Sequence, residues 1–362
     1  MPSSLRDYFI NTFAPYISHK NIRAALQGRV ANGDTILRRL KESYTPVKQP
    51  LVLISQVQRS GGSLLSQLFD GHSEILAHPH ELKIGYPSKE QWPPIEKSFS
   101  ADKQFNILFE ASIIRMCEEG YAKGRTDPDR RNFFFIPAVQ RELFKHISER
   151  AGNNTARDVL DSYFTSYFNS WLNLRANLSR ARYVTGFVPL LVNEKSNMDR
   201  FWDTYPDGYL ISVIRSPMSW YPSAARLMNG KKYSDIELGA QRWCESTQAI
   251  MNEKARKGDR VIVLHFDDLI TRTEDVMRLI CERLNIPFEP IVLQPTFNGE
   301  TMVANTSFDR MERGVVSSAP TKRHELLSEA DRVYLKKHCF PLYEQALHEL
   351  TETIPSKNIA AE

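Results

Sequence analysis

The chain has 362 residues, 41% of them apolar and 25% charged, with 47 Lys and Arg against 43 Asp and Glu for a net charge of +4. That is enough chain and apolar content for one large α/β domain or two smaller ones. The charge excess is too small for a nucleic-acid footprint, and no stretch approaches the roughly 20 apolar residues of a membrane span.

Residues 1–48 read as short amphipathic helices ending at Pro46 and Pro50, with Arg38, Arg39, Lys41 and Glu42 on a solvated face. They contain no basic segment leading into an apolar one, so a cytoplasmic protein is expected. Leu51–Val57 is a run rich in Val, Ile and Leu without Gly or Pro, the pattern of a buried parallel strand. Ser63–Phe69 then places Leu64, Leu65, Leu68 and Phe69 on one helical face. Arg59, Ser60, Gly61, Gly62 and Ser63 stand between strand and helix. A strand, a tight glycine turn and a helix N-terminus aim backbone N–H groups at one point, with the helix dipole behind them, which makes an anion site. The loop is neither a Walker A motif, since no Lys separates Gly62 from Ser63, nor a G-x-G-x-x-G dinucleotide turn.

Further along, Pro87, Pro93 and Pro94 mark an irregular loop. Residues 100–180 are mainly helical, interrupted by a polar loop at Gly124–Arg131, and read either as a cover for an acceptor site or as simple packing on the sheet. Tyr163, Tyr167 and Trp171 here, and Trp220 and Tyr221 later, could stack on sugars, but aromatics at helical spacing more often form core. From residue 183 the α/β pattern returns, with strands near 184–188, 209–214 and 261–266 and a helix over 273–285. Arg215 ends the second of these strands, followed by Ser216, Pro217 and, eight residues after the Arg, Ser223. An Arg fork with a Ser hydroxyl at the end of a parallel strand suits a second phosphate. Residues 295–325 are loop-like and basic, and residues 351–362 form a polar tail. The chain divides into an N-terminal helical segment (1–48), an α/β domain (49–350) with a helical insertion at about 100–180, and that tail. The fold class is α/β, a P-loop-like parallel sheet flanked by helices. Cys117, Cys244, Cys281 and Cys339 are scattered without a C-x-x-C pair, which reads as buried free thiols.

The two anion motifs together resemble those of sulfotransferases that use 3′-phosphoadenosine 5′-phosphosulfate (PAPS), most closely bacterial and carbohydrate-type members. Arg59-Ser60-Gly61-Gly62-Ser63 is similar to the loop that holds the 5′-phosphosulfate, and Arg215-Ser216-Pro217 with Ser223 to the 3′-phosphate motif. The resemblance extends through His72–Ile75, His80-Glu81-Leu82, Glu194-Lys195-Ser196, Tyr205–Gly208, Val261–Phe266 with Asp267-Asp268-Leu269, and Leu284-Asn285-Ile286, over residues of about 50 to 340. Departures are Asn197, where relatives often carry Pro, and Gly62, where Ser or Thr is commoner.

The resemblance implies PAPS as co-substrate and in-line sulfuryl transfer to a hydroxyl of a carbohydrate, glycolipid or small metabolite. Arg59 would neutralise the leaving group by charge and hydrogen bonds, since Arg cannot donate its proton at neutral pH. Ser60, Gly61, Gly62 and Ser63 would cradle the 5′-phosphate. Arg215 and Ser223 would hold the 3′-phosphate, with Arg323 and Gly314 in a closing basic loop. Lys195 would sit near the sulfuryl oxygens. The base is Glu81, if its environment raises its pKa, or His80, whose ordinary pKa already suits; the resemblance favours Glu81. His78 and His80 have no third ligand nearby, so no metal is expected. The expected partners are PAPS and an alcohol-bearing acceptor, without nucleic acid. The rival readings are a P-loop-type ATP-dependent kinase, with Asp267 as its Walker B candidate, and a non-catalytic nucleotide-binding protein.

Overall fold

The computed structural model describes residues 33–82, 91–110, 112–122, 130–152, 155–226, 232–304, 313–314, 316 and 322–350; the His80 side chain lies outside that description. The helices expected before residue 33 and the tail after residue 350 also lie outside it. In chain order the elements are α1 (Gly33–Ser43), β1 (Leu51–Ile54), α2 (Gly62–Phe69), β2 (Ile75–Glu81), α3 (Ala101–Leu108), α4 (Ser112–Glu119), α5 (Pro137–Ala151), α6 (Ala156–Ser170) and β3 (Tyr183–Phe187). After them come α7 (Lys195–Thr204), β4 (Tyr209–Ile214), α8 (Pro217–Ala225), α9 (Ile236–Lys257), β5 (Val261–His265), α10 (Phe266–Thr271), α11 (Thr273–Arg283), the short pair β6 (Thr296–Phe297) and β7 (Glu300–Thr301), α12 (Glu329–His338) and α13 (Phe340–Leu350).

The residues fall into two compact units, one comprising residues 50–82 and those from 183 onward, the other those up to 49 with those between 83 and 182. The first unit carries a parallel five-stranded sheet in the order β2-β3-β1-β4-β5. The α/β, P-loop-like sheet expected from the sequence is therefore present. β1 occupies the centre, which is why Leu51, Val52, Leu53 and Ile54 are wholly buried and read as a continuous apolar run rather than an alternating one. β1 ends at Ile54, earlier than its apolar run suggests. Ser55 still donates to Ile211 O at 3.2 Å, but the chain then turns away to build the loop. α2 buries Leu64, Leu65, Leu68 and Phe69 against β-strand residues such as Val52, Ile211 and Ile262.

Asp70 closes α2 and anchors the β6–β7 pair: its carboxylate accepts from the N–H groups of Asn298 (2.8 Å) and Gly299 (2.7 Å), and Thr296 Oγ1 donates to its carbonyl at 2.6 Å. Burial pushes this carboxyl's pKa up, and those donors pull it back.

The second unit is helical. α1 lays Leu37 against Ile136, Val139, Leu143 and Ile147. α6 starts in a capping box, with Thr155 N–H and Oγ1 donating to Asp158 and Asp158 N–H donating to Thr155 Oγ1. Tyr163, Tyr167 and Trp171 are at most 3% exposed, and neighbouring rings meet them at tilted and edge-on angles. They are core. None of the described helices is long and apolar enough to cross a membrane.

Candidate active site

All five strands of the sheet point the same way, so the loops after β1, β2, β3, β4 and β5 gather at one edge. The chain leaves β1 toward β2 on one side and β4 toward β5 on the other. The crevice between β1 and β4 is thus the switch point at which open α/β sheets bind ligands. Arg59 follows β1 and Arg215 follows β4, so the two sequence motifs flank that crevice.

The β1–α2 loop is held in a costly conformation. Arg59 takes φ 70° and Gly61 φ 102°. The left-handed region suits Gly but costs an Arg, and such strain persists only where neighbours impose it. They do so from several directions. Leu190 N–H donates to Gln56 O (3.0 Å) and Val192 N–H to Ser55 Oγ (3.0 Å) from the β3 side. From the β4 side, Ser212 Oγ donates to Ser55 O at 2.7 Å. Val57 N–H donates to Ser246 Oγ (2.8 Å) and Trp220 Nε1 to Gln58 O (2.7 Å). Gly62 is required by packing: a Cβ there would lie 2.1 Å from the Gln56 amide and 2.5 Å from the Phe187 ring. In the orientation that satisfies both its ends, Gln56 donates to Ser55 O and accepts from Gly62 N–H at 3.2 Å. The N-cap residue of α2, Gly61, offers no side-chain cap, and Gln56 takes the Gly62 N–H, the first of the unpaired donors of a helix N-terminus.

Arg215 ties the two motifs together. It is only 2% exposed; its Nη1 donates to Arg59 O (2.9 Å) and its Nε to Ser219 Oγ (3.0 Å). The guanidinium lies 4.2 Å from the centre of the Phe266 ring, a cation–π platform that also packs against Gly61. Trp243 Nε1 holds the Arg215 carbonyl at 3.1 Å. Arg59 Nε in turn donates to Ser223 Oγ at 3.3 Å, which brings Ser223 to the loop. Burial pushes the Arg215 guanidinium down to about 9, Arg323 and Arg59 push the same way, and Asp267 opposes them. Arg59, too, is lowered by burial. Arg323, in the helical turn Lys322–Leu326, is therefore electrically part of this cluster. Three cations crowd one partly desolvated spot, and the Ser60 hydroxyl beside them is 1% exposed without a hydrogen-bond partner among the described residues. Buried hydroxyls are ordinarily satisfied, so the chemistry of this spot fits a multiply charged anion with several acceptor oxygens.

Glu81 ends β2, half-buried, with Phe187 as its register partner and Leu82 N–H bonded to Phe187 O at 2.8 Å. Two strand spacings separate β2 from β1, or about 10 Å, with β3 between them. The His80 backbone lies in β2, but its side chain is outside the described residues. Lys195 begins α7 at the same sheet edge, 73% exposed, its Nζ 2.7 Å from Asp199. Asp199 also binds Arg256, which binds Glu253, which accepts from Trp202 Nε1. Lys195 is thus the outer end of an ionic chain, and the structure does not draw it into the Arg cluster. Gly314 packs beside Thr301. Among the described residues no group of three His, Cys, Asp or Glu could hold a metal. Asp267 follows β5, in the first turn of α10.

Several residues of this region escape sequence reasoning. Ser219 follows Arg215 at i+4, a spacing that a helical reading of α8 could have flagged. Trp243 and Ser246 carry no such signal, because only the sheet order brings α9 beside the loops; Phe266 belongs to the Val261–Leu269 segment of the resemblance, which does not tell that its ring lies against Arg215. Trp220 and Tyr221 are structural: the first is bonded to the Gln58 carbonyl, the second donates to Ser234 O at 3.1 Å.

Comparison with known proteins follows the same line. No curated protein matches the chain. Among solved structures it is similar to a sulfotransferase domain from the curacin biosynthetic pathway, at 19% identity and TM-score 0.43 over 86% of this chain and 100% of that one. A sulfotransferase domain from the olefin synthase of Synechococcus PCC 7002 shows 17% and 0.44 over 85% and 96%. A sulfotransferase from Alicyclobacillus acidocaldarius shows 12% and 0.43 over 84% and 97%. The family model described as "Sulfotransferase family" matches residues 50–290, which span both anion motifs and every strand of the sheet. The chain belongs to the sulfotransferase family.

Proposed function

We propose that the protein moves the sulfuryl group of PAPS to a hydroxyl of a carbohydrate, glycolipid or small metabolite. The observation that carries this reading is the coupling of Arg215 to Arg59 and Arg323 at the switch point, next to a Ser60 hydroxyl that is buried without a hydrogen-bond partner among the described residues. A nucleotide with phosphate at its 3′ end and phosphosulfate at its 5′ end needs two grips, and this edge has two motifs joined by the Arg215–Arg59 hydrogen bond.

In this scheme the 5′-phosphate rests on Ser60, Gly61 and Ser63, with Gly62 N–H shared with Gln56. Arg59 faces the bridging oxygen, where charge builds as the S–O bond breaks, and preorganised charge there is among the larger contributions to such a rate. Arg215, Ser223 and Arg323 take the 3′-phosphate. Glu81 accepts the acceptor's hydroxyl proton as oxygen attacks sulfur in line; His80 is the alternative base. Lys195 approaches the sulfuryl oxygens by exchanging Asp199 for them. No metal is assigned a role.

The test is transfer of labelled sulfate from PAPS to a panel of sugars, glycolipids and simple alcohols. The proposal expects label on at least one hydroxyl acceptor and none with Glu81→Gln. If PAPS remains intact with every acceptor class, or if Glu81→Gln transfers as well as the parent, the scheme fails at the acceptor or at the base respectively.

A further inference from the structure

The four cysteines look unrelated along the chain, but two of them meet in the fold. Cys244 Sγ, on α9, lies 3.8 Å from Cys339 Sγ, at the junction of α12 and α13, in the same compact unit as the sheet. Both are free thiols. Cys339 is wholly buried, with its sulfur 4.0 Å from Ala240 O, whereas Cys244 is partly exposed. We propose that Cys244 and Cys339 are a reversible dithiol–disulfide pair, a modification site that alters how Arg215 is held.

The geometry supplies both the chemistry and the connection. To form a disulfide the two sulfurs close from 3.8 Å to about 2.05 Å. The contact with Cys339 lowers the Cys244 thiol, and the same contact with burial raises Cys339. Cys244 is thus both the more acidic and the more accessible sulfur, as an attacking thiol must be. With hydrogen peroxide as oxidant, the Cys244 sulfur attacks one peroxide oxygen, the O–O bond breaks, and water leaves as Cys244 becomes a sulfenic acid. The Cys339 sulfur then displaces that hydroxyl as a second water, so that two thiols and one hydrogen peroxide give one disulfide and two waters. A small dithiol reverses the step.

The connection runs through neighbours of the two sulfurs. Trp243, adjacent to Cys244, holds the Arg215 carbonyl. Tyr343 donates its N–H to Cys339 O at 3.0 Å, bonds through its hydroxyl to His265 Nε2 at 2.8 Å, and packs edge-on against the Trp243 ring at 6.1 Å. Drawing α9 toward the α12–α13 junction therefore moves the Trp243–Tyr343 pair behind Arg215.

The proposal takes its readout, though not its chemistry, from the nucleotide reading above. The protein is treated with hydrogen peroxide, digested without reduction and mapped by mass spectrometry, and its affinity for PAP (3′-phosphoadenosine 5′-phosphate) is measured before oxidation, after it, and after dithiothreitol. Expected are a Cys244–Cys339 peptide cross-link and a change in PAP affinity of about fivefold or more. Dithiothreitol should undo both, and both should be absent in Cys244→Ser and in Cys339→Ala. Absence of the cross-link, or over-oxidation of Cys244 without one, overturns the pair. A cross-link with unchanged PAP affinity overturns its coupling to Arg215. If reduced protein binds no PAP at all, the nucleotide reading fails instead, and the cross-link alone decides the disulfide.

Discussion

Arg59 has to be both a charge and a backbone hinge. Its φ of 70° is imposed by the surrounding hydrogen bonds, and its side chain reaches Ser223 at 3.3 Å. Any L residue replacing it meets the same backbone strain, so Arg59→Ala removes the charge and its bond to Ser223 while leaving that strain in place. The expected result is a fall in kcat of about a hundredfold or more with a smaller loss of PAP affinity, as for a contact made chiefly in the transition state. Near-normal turnover would remove Arg59 from its role. Glu81→Gln keeps shape and loses the base: turnover should nearly vanish while PAP binding survives. Should His80→Ala show that phenotype and Glu81→Gln not, the base is His80.

At the scale of elements, the β1–α2 loop depends on close approach as much as on charge. Gly62→Ala puts a methyl group 2.1 Å from the Gln56 amide, itself pinned between Ser55 and Gly62. Overpacking of this kind costs about 1 to 3 kcal/mol, so the variant should melt several degrees lower and bind PAP weakly. Gly33→Ala, which meets none of the described residues within 4 Å, is the control and should melt no lower than the parent does. The same loop shows what a sequence can and cannot display. Its strand, glycine turn and amphipathic helix are local patterns with a period, and Arg215 with Ser223 is a local spacing; both were legible. The preference for Gly over Ser or Thr at 62 was visible only as a lost hydroxyl, because Phe187 and Gln56 crowd that position from β3 and from the loop itself. Trp243 behind Arg215 was invisible for the same reason, and Phe266, though it lies in a segment of the resemblance, gave no sign that its ring sits beneath Arg215: both contacts arrive by sheet order, which no single segment encodes. Lys195 was legible as a motif residue, but its partner Asp199 lies one turn along α7, and helical spacing alone does not say which way a long side chain turns.

Over the whole molecule, two ionic features set its response to conditions. In the helical unit, burial raises the Asp161 carboxyl to about 6 despite its 2.8 Å pair with Arg157. Between pH of about 4 and 6 the native protein then holds a proton that the unfolded chain has released, so stability falls as pH rises, by at most about 1.4 kcal/mol per unit. Asp161→Asn should flatten that slope in urea titrations across this range; an unchanged slope assigns it elsewhere. In the sheet unit, the crowding of Arg59, Arg215 and Arg323 disfavours the ligand-free cluster, and an anion that joins them should stabilise the fold through binding. The most direct measurement of that claim is calorimetric titration with PAP without metal, run beside ATP with Mg²⁺, on the parent protein and on Arg215→Lys and Arg215→Ala with their folding checked by thermal melting. The account predicts micromolar PAP binding that both folded variants weaken at least about tenfold, and little affinity for ATP with Mg²⁺. Preference for ATP with Mg²⁺, or PAP binding indifferent to Arg215, would contradict it.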